Sequence, residues 1–293
     1  MQGIKAVLES VRNQTLSPGK VVVVVDNSLS LAHRLRNEID WVSVLLHEGP
    51  RGSSPARNRA VEIVDTRFIA FLDDDEVACP DWLEELTRPL SDPGVVGAGG
   101  RYEPMWASAQ PRWFPEEFAW VVGGSYRGMP TEVSEVRNVW SGNMAVRTEA
   151  FRKAGGFTQE FSRLGSRVRG PDDTELCIRI AAVNGGRWLY VPTAIIKHEV
   201  PADRASLRFF ILRCYLEGCS KAVMRRELGY RSAVEFEQDY VRSTTKTATK
   251  RLFSPKRHAR SQDLAMLLGV ASAGAGYLKT RAGHTWPSQA KVN

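Results

Sequence analysis

The apolar residues change period repeatedly along the first hundred positions. Ile4, Val7, Leu8 and Val11 recur at helical spacing, which predicts an amphipathic helix over 3–13, stopping near Ser17-Pro18-Gly19. The run "KVVVVVDNS" (20–28) follows, continuous and β-branched, as in a strand covered on both faces. The same alternation predicts helix 29–38, strand 41–46, helix 55–65, strand 67–72, helix 80–90 and strand 94–99. Such an order argues for an α/β protein with a mostly parallel central sheet flanked by helices.

Beyond residue 100 the texture changes. Trp106, Trp113 and Trp120 stand among prolines and glycines, where core packing is their expected role. A strand is expected at 143–147, then helix 148–154, the turn Gly155-Gly156-Phe157, and a loop rich in Gly, Ser and Arg. Helix 172–184, strands 187–191 and 194–198, and helices over 204–228 complete this part. The stretch 242–260, "RSTTKTATKRLFSPKRHAR", has seven Lys/Arg and no acid, and reads as a linker or basic surface arm. The uncharged 264–278, "LAMLLGVASAGAGYL", is shorter than the roughly 18 apolar residues of a membrane span, so a packed or interfacial helix is expected.

At 43% hydrophobic and 25% charged residues over 293 positions, the chain has a globular composition, and disorder throughout is excluded. The net charge of +7 is unevenly placed: residues 201–293 carry 17 Lys/Arg against 7 Asp/Glu, while the front is nearly neutral and acid-bearing. Cys79, Cys177, Cys214 and Cys219 form no CxxC pair, so reduced thiols and a cytoplasmic setting are expected. The opening "MQGIKAVLESVRNQ" lacks the apolar core of a secretion signal.

In open α/β sheets ligands bind beyond the carboxyl ends of the strands. Two acidic strand ends would face that edge, Asp26 and the run Asp73-Asp74-Asp75-Glu76 after "RFIAFL". An Asp-x-Asp there can hold a divalent metal, since hard cations take carboxylate oxygens; the alternative is an acidic turn with capping aspartates. Three further features bear on the choice. "GPRGSSPARNRAVE" (49–62) places a flexible loop before a helix whose first turn offers Arg57 and Asn58, suited to an anion or a carbonyl-rich base. "GPDDTELCIR" (170–179) starts a helix with Asp172 and Glu175 in capping-box spacing, which leaves Asp173 without a structural task. His198 ends the strand "TAIIKH", where it is either structural or a further metal ligand.

The ordered set "VVVVVDNS", "GSSPARNRAVE", "FLDDDE", "WSGNMAVRTEAFRKAGGF", "GPDDTELCIRI" and "YVPTAIIKHEVP" resembles the family 2 glycosyltransferases over about residues 5–228. The resemblance implies the nucleotide-diphospho-sugar transferase (A-type) fold over 1–200, C-terminal helices packed on it over 201–241, and a basic linker and terminal helix over 242–293. It implies an inverting transfer from a nucleotide-diphospho-sugar to the hydroxyl of a glycan, lipid-linked or small-molecule acceptor, with Mn2+ or Mg2+. Asp26 would bind the nucleoside, Arg57 with Asn58 the base side, Asp73 the ribose side, and Asp74 joins the donor set without a defined role. Asp75 would ligate the metal and His198 complete its shell. Asp173, or its neighbour Asp172, would be the general base; Gly142 and Asn143 would line the donor pocket and Trp140 stack on an acceptor sugar.

The family begins with a strand before the helix at 3–13, and the expectation is that residues upstream of Met1 supply it. Asp172 stands where the family usually has Glu. Two other readings stay open: an inactive remnant of the fold, and a nucleic-acid binder using the basic C-terminal third, although the arm lacks interleaved aromatics. Peripheral contact with an anionic membrane through 242–278, at the inner face, is a further expectation.

Overall fold

The computed structural model describes residues 2–158, 172–228, 235–252 and 260–283. The Gly/Ser/Arg loop expected before residue 172 lies, from 159 onward, outside the described residues, as do 253–259 of the basic stretch.

The first half follows the predicted alternation: α1 (Gln2–Arg12), β1 (Val22–Asp26), α2 (Leu29–Glu38), β2 (Ser43–His47), α3 (Ser53–Val61) and β3 (Phe68–Leu72). Then come β4 (Glu76–Ala78), α4 (Trp82–Thr87), β5 (Val95–Trp106), β6 (Ser134–Val136), β7 (Asn143–Arg147), α5 (Thr148–Lys153) and α6 (Asp172–Asn184). The chain continues with β8 (Arg187–Val200), α7 (Leu207–Leu228), α8 (Glu235–Leu252) and α9 (Arg260–Arg281). No described helix is long and apolar enough to cross a membrane. All four cysteines are free.

Three expectations are corrected. The strands do not form one mostly parallel sheet: β1 and β2 pair in parallel as a sheet of their own, while in the larger sheet β3 with β7, β5 with β7 and β6 with β8 pair antiparallel. Hydrophobic period reports a strand's covered faces and not its direction, and the long excursion after β5 brings β7 back reversed between β3 and β5. The two strands expected at 187–191 and 194–198 are one, β8, which runs through Pro192. A proline removes a single ladder donor, and β8 uses Trp188–Tyr190 for β6 while its later part meets the end of β4, where Cys79 N donates to Ile195 O at 2.9 Å. Residues 242–252, expected as linker or basic surface arm, form the second half of α8, which corrects the linker reading and leaves Arg242, Lys246 and Lys250 on the surface.

The strands fall into two sheets, β1-β2 and the six-stranded β3-β7-β5-β8-β4 with β6 on β8. Among the described residues β1 and β3 each have one strand partner. The larger sheet is apolar on both faces, which is why its strands read as continuous hydrophobic runs. Ile69, Phe71, Met144 and Val146 join a cluster with Leu176 and Ile180 of α6; Ala145, Ala98 and Ile196 point the other way, onto Trp82, Leu83 and Leu86 of α4.

The chain divides into two compact units. The first holds the described residues of 1–103, 130–158 and 172–197; the second holds 104–129 and those from 198 onward. Residues 104–129, placed by sequence with the transferase fold, thus cluster with the C-terminal helices. There Trp106, Trp113 and Trp120 pack against a core of Phe114, Phe118, Phe209 and Phe210, the role expected of them.

In this second unit α7 and α9 approach closely because glycines face backbone. A Cβ at Gly276 would lie 2.1 Å from the Tyr215 carbonyl oxygen, and one at Gly218 would lie 1.8 Å from that of Ala273. Gly274, one turn-fraction away on α9, has nothing within 4 Å of its Cβ position. Gly276→Ala is therefore expected to destabilise by about 1–3 kcal/mol through overpacking, and Gly274→Ala to stabilise by up to about 1 kcal/mol through helix propensity. Thermal denaturation of the two variants checks both signs; equal behaviour would refute the close approach.

Candidate active site

β3 delivers its polypeptide into a turn made of acids. Asp73 and Glu76 close that turn on each other: Glu76 N donates to Asp73 O at 3.3 Å, and Asp73 N donates to Glu76 Oε2 at 3.0 Å. The carboxylates of Asp73, Asp75 and Glu76 come within 4.8 Å of one another, with Glu76 buried and Asp75 exposed. The acidic turn expected from the sequence is present, and its carboxylates are close enough that they could hold a metal ion. Gly142 lies over it: a Cβ there would meet Glu76 Oε1 at 2.5 Å and Asp73 Oδ2 at 2.9 Å, so a larger residue in the "WSGNM" segment would push these carboxylates aside.

Crowded carboxylates need a counter-charge. Burial raises the Glu76 carboxyl well above the usual range, and the charge of Asp73 adds to it; Asp74 is raised by burial and then by Asp75. Arg57, from α3, pairs with Asp73. Burial disfavours its charge, but Asp73, Asp173 and Asp172 together outweigh burial and hold the guanidinium protonated.

The face of α3 that carries Arg57 is built at i, i+3, i+4. Ser54 Oγ donates to Asp172 Oδ2 at 2.9 Å, tying α3 to the start of α6. Asn58 clasps the backbone of Phe157, donating from Nδ2 to its carbonyl at 2.8 Å and accepting its N–H at 2.9 Å. The Phe157 ring in turn lies under the Arg57 guanidinium, 5.5 Å to centroid. Asn58, expected on the donor, is thus committed to holding the Gly155-Gly156-Phe157 turn.

At the start of α6 the expected capping box does not form. Glu175 is taken by Arg179, with Oε1 accepting from Nε at 2.6 Å and Oε2 from Nη2 at 2.8 Å, a charge-assisted pair that outcompetes a backbone amide. Asp172 is 6% exposed and accepts from Ser54 and from Asp173 N at 3.1 Å. Asp173 differs: its Oδ1 is buried with no hydrogen-bond partner among the described residues.

The other expected residues divide clearly. Asp26 ends β1 and accepts from Gly52 N at 3.1 Å, which draws the 49–52 loop to it. Asn143 is fully buried, with Oδ1 accepting from Trp82 Nε1 at 2.7 Å and Nδ2 donating to Arg101 O at 3.1 Å, so it ties strands together rather than lining a pocket. Trp140 is half-buried and stands edge-on to Tyr102, 5.0 Å between centroids. His198 belongs to the second unit, where it is 7% exposed and its ring lies against Gly123. Sequence reading missed Glu76, Ser54 and Phe157 as parts of the site. Glu76 was written in the same acidic run, but only the turn shows that it folds back.

The site thus gathers an acidic strand-end turn, the Arg57 guanidinium and the aspartates that open α6. A family model for glycosyl transferase family 2 matches residues 2–155. The glucosyl-dolichyl phosphate glucuronosyltransferase of Haloferax volcanii is 31% identical over 280 residues, covering 92% of this chain and 89% of that protein. The succinoglycan biosynthesis protein ExoM of Rhizobium meliloti is 25% identical over 278 residues, covering 93% and 77%. Among solved structures, GalNAc-T7 with UDP, GalNAc and Mn2+ shares the fold at a TM-score of 0.52 and 18% identity, over 66% of this chain and 39% of that one. The chain belongs to glycosyl transferase family 2, and it is a glycosyltransferase.

The raised Glu76 carboxyl gives a pH test. A group held above its unfolded value stabilises the fold below that value and costs stability as pH rises through the folded one. In EDTA, Glu76→Gln is expected to melt progressively higher than the parent as pH increases from about 5 to 8. A difference in melting temperature that stays constant over that range would show that the buried charge is no burden.

Proposed function

We propose that this glycosyltransferase transfers sugar with inversion, depends on a divalent metal, and uses Asp173 as its base. The observation that carries the reading is the Oδ1 of Asp173, without a hydrogen-bond partner among the described residues, beside carboxylates that are already engaged. Asp73 is paired with Arg57, Glu76 with the Asp73 amide, Asp172 with Ser54 and Glu175 with Arg179. An oxygen so left is available to take the acceptor proton as the hydroxyl attacks. With one such base on the acceptor side, a single displacement inverts the anomeric centre.

The carboxylates of Asp73, Asp75 and Glu76 suit a hard cation in donor type and spacing, so Mn2+ or Mg2+ fits there. When bound, such an ion supplies positive charge to the diphosphate as the glycosidic bond breaks. Arg57 contributes a fixed cation to the same place, and Asp26 with the 49–52 loop binds the nucleoside. Trp140 offers an aromatic face to a sugar. The acceptor we infer is lipid-linked, because the relative similar over nearly the whole chain is named for a glucosyl-dolichyl phosphate substrate.

A thermal-shift screen of nucleotide-sugars with and without Mn2+, beginning with UDP-glucuronate, tests donor and metal together, since a true donor stabilises the fold by mass action. Asp75→Ala is expected to abolish the metal-dependent part of the shift. Asp173→Asn is expected to keep the shift while slowing transfer by about 10²–10⁴-fold, with the anomer of the parent's product read by NMR. Undiminished transfer by Asp173→Asn, or a retained anomer, would sink this mechanism.

A further inference from the structure

α9 turns Ala265, Met266, Gly269 and Gly276 inward, together with Asp263 and Thr280. Its opposite face is apolar and open. Leu264, Leu268 and Leu278 are 59%, 40% and 64% exposed, and Ala271 and Ala275 lie exposed between them. The spacing i, i+4, i+7, i+11, i+14 keeps these residues in one stripe along about 21 Å of helix. Exposed Arg260 stands at one end of the stripe, and exposed Lys279 and Arg281 at the other. The single acid of α9, Asp263, is 1% exposed, so no negative charge lies on this face.

α8 packs against α9 and adds to the same charge. Arg242, Lys246 and Lys250 repeat at i, i+4, i+8 on its exposed side, and from Tyr240 onward the helix has no acid. Isolated exposed leucines are ordinary on a monomer. A continuous stripe bracketed by cations is different, because its two chemistries match the two layers of a bilayer surface: acyl chains for the leucines, phosphates for the cations. α9 is not long and apolar enough to span, so the geometry fits lying along the surface.

We propose that α9 docks on the surface of an anionic phospholipid bilayer, with Leu264, Leu268 and Leu278 inserted and Arg260, Lys279 and Arg281 on headgroup phosphates. The basic face of α8 adds long-range attraction. This inference does not depend on the acid cluster or on the chemistry proposed for it.

The test is co-flotation of the full chain with phosphatidylcholine vesicles, with and without phosphatidylglycerol, at low and high salt. The parent should float with the anionic vesicles at low salt. Leu264→Gln/Leu268→Gln/Leu278→Gln should lower the bound fraction at least about tenfold, since each lost leucine insertion forfeits an energy of the order that changes an equilibrium tenfold. Arg260→Glu/Lys279→Glu should lower binding comparably and flatten its salt dependence. Unchanged circular dichroism and melting temperature confirm that both variants fold; the charge variant carries the test if the leucine variant does not. Failure of the parent to float on anionic vesicles, equal binding to neutral ones, or undiminished binding by the folded variants would overturn the proposal. So would light scattering in which the leucine variant converts a dimer to monomer without affecting flotation, since the stripe would then be a self-association face.

Discussion

The guanidinium of Arg57 is the constraint around which the first unit is organised. It lies within the field of Asp73, Asp172 and Asp173, and without it the turn after β3 and the start of α6 would be regions of unbalanced negative charge. Asp73 is partly exposed, so water screens the pair, and breaking it costs less than the about 3–5 kcal/mol of a fully buried one. The arginine is held by more than charge. Phe157 backs its plane, and Asn58 fixes Phe157, so the position of one cation is set by two residues of the same helix and a turn about a hundred positions away.

α3 therefore works as a bracket. Its Ser54 reaches α6, its Arg57 reaches the end of β3, and its Asn58 reaches the turn after α5. The preceding loop is drawn to Asp26 at the end of β1 through the Gly52 amide. Four segments distant in sequence are thus brought to one helix by polar contacts, while the sheet's two apolar clusters supply the bulk of the stability. The division of labour is physical: non-directional burial assembles the layers, and directional bonds place the few groups that chemistry needs.

Much of this was legible in the chain. "FIAFLDDDE" announced a buried strand ending in acids, and the loop before Arg57 and the pair Asp172-Asp173 pointed to the helices that meet it. What escaped was whatever depends on partners remote in sequence. Strand direction did, because period is blind to it. Asn58 and Asn143 looked like ligand-binding amides, since an amide facing a backbone and one facing a sugar have the same letter; burial and the groups opposite separate them. The capping box of Asp172 and Glu175 was sound local chemistry overruled by Arg179, one turn further along the same helix. Residues 242–252 read as linker or basic surface arm because they carry Lys/Arg and no acid, yet Thr244 and Ala248 are buried and hold that half of α8 in its unit.

The electrostatics also bear on how donor and metal would arrive. The turn gathers four acidic side chains; burial first, and then the charges of Asp73 and Asp75, displaces the Glu76 and Asp74 carboxyls upward, and a nucleotide-diphospho-sugar adds further negative charge. Arg57 is a single cation and is engaged with Asp73. On the proposed reading, diphosphate binding alone would meet repulsion from Asp75 and its neighbours, and metal binding alone would leave ligand positions to water. Each would raise the affinity for the other, by the same factor in both directions because coupling between two binding free energies is reciprocal. The crowding of carboxylates in the turn is what would make the two ligands cooperative.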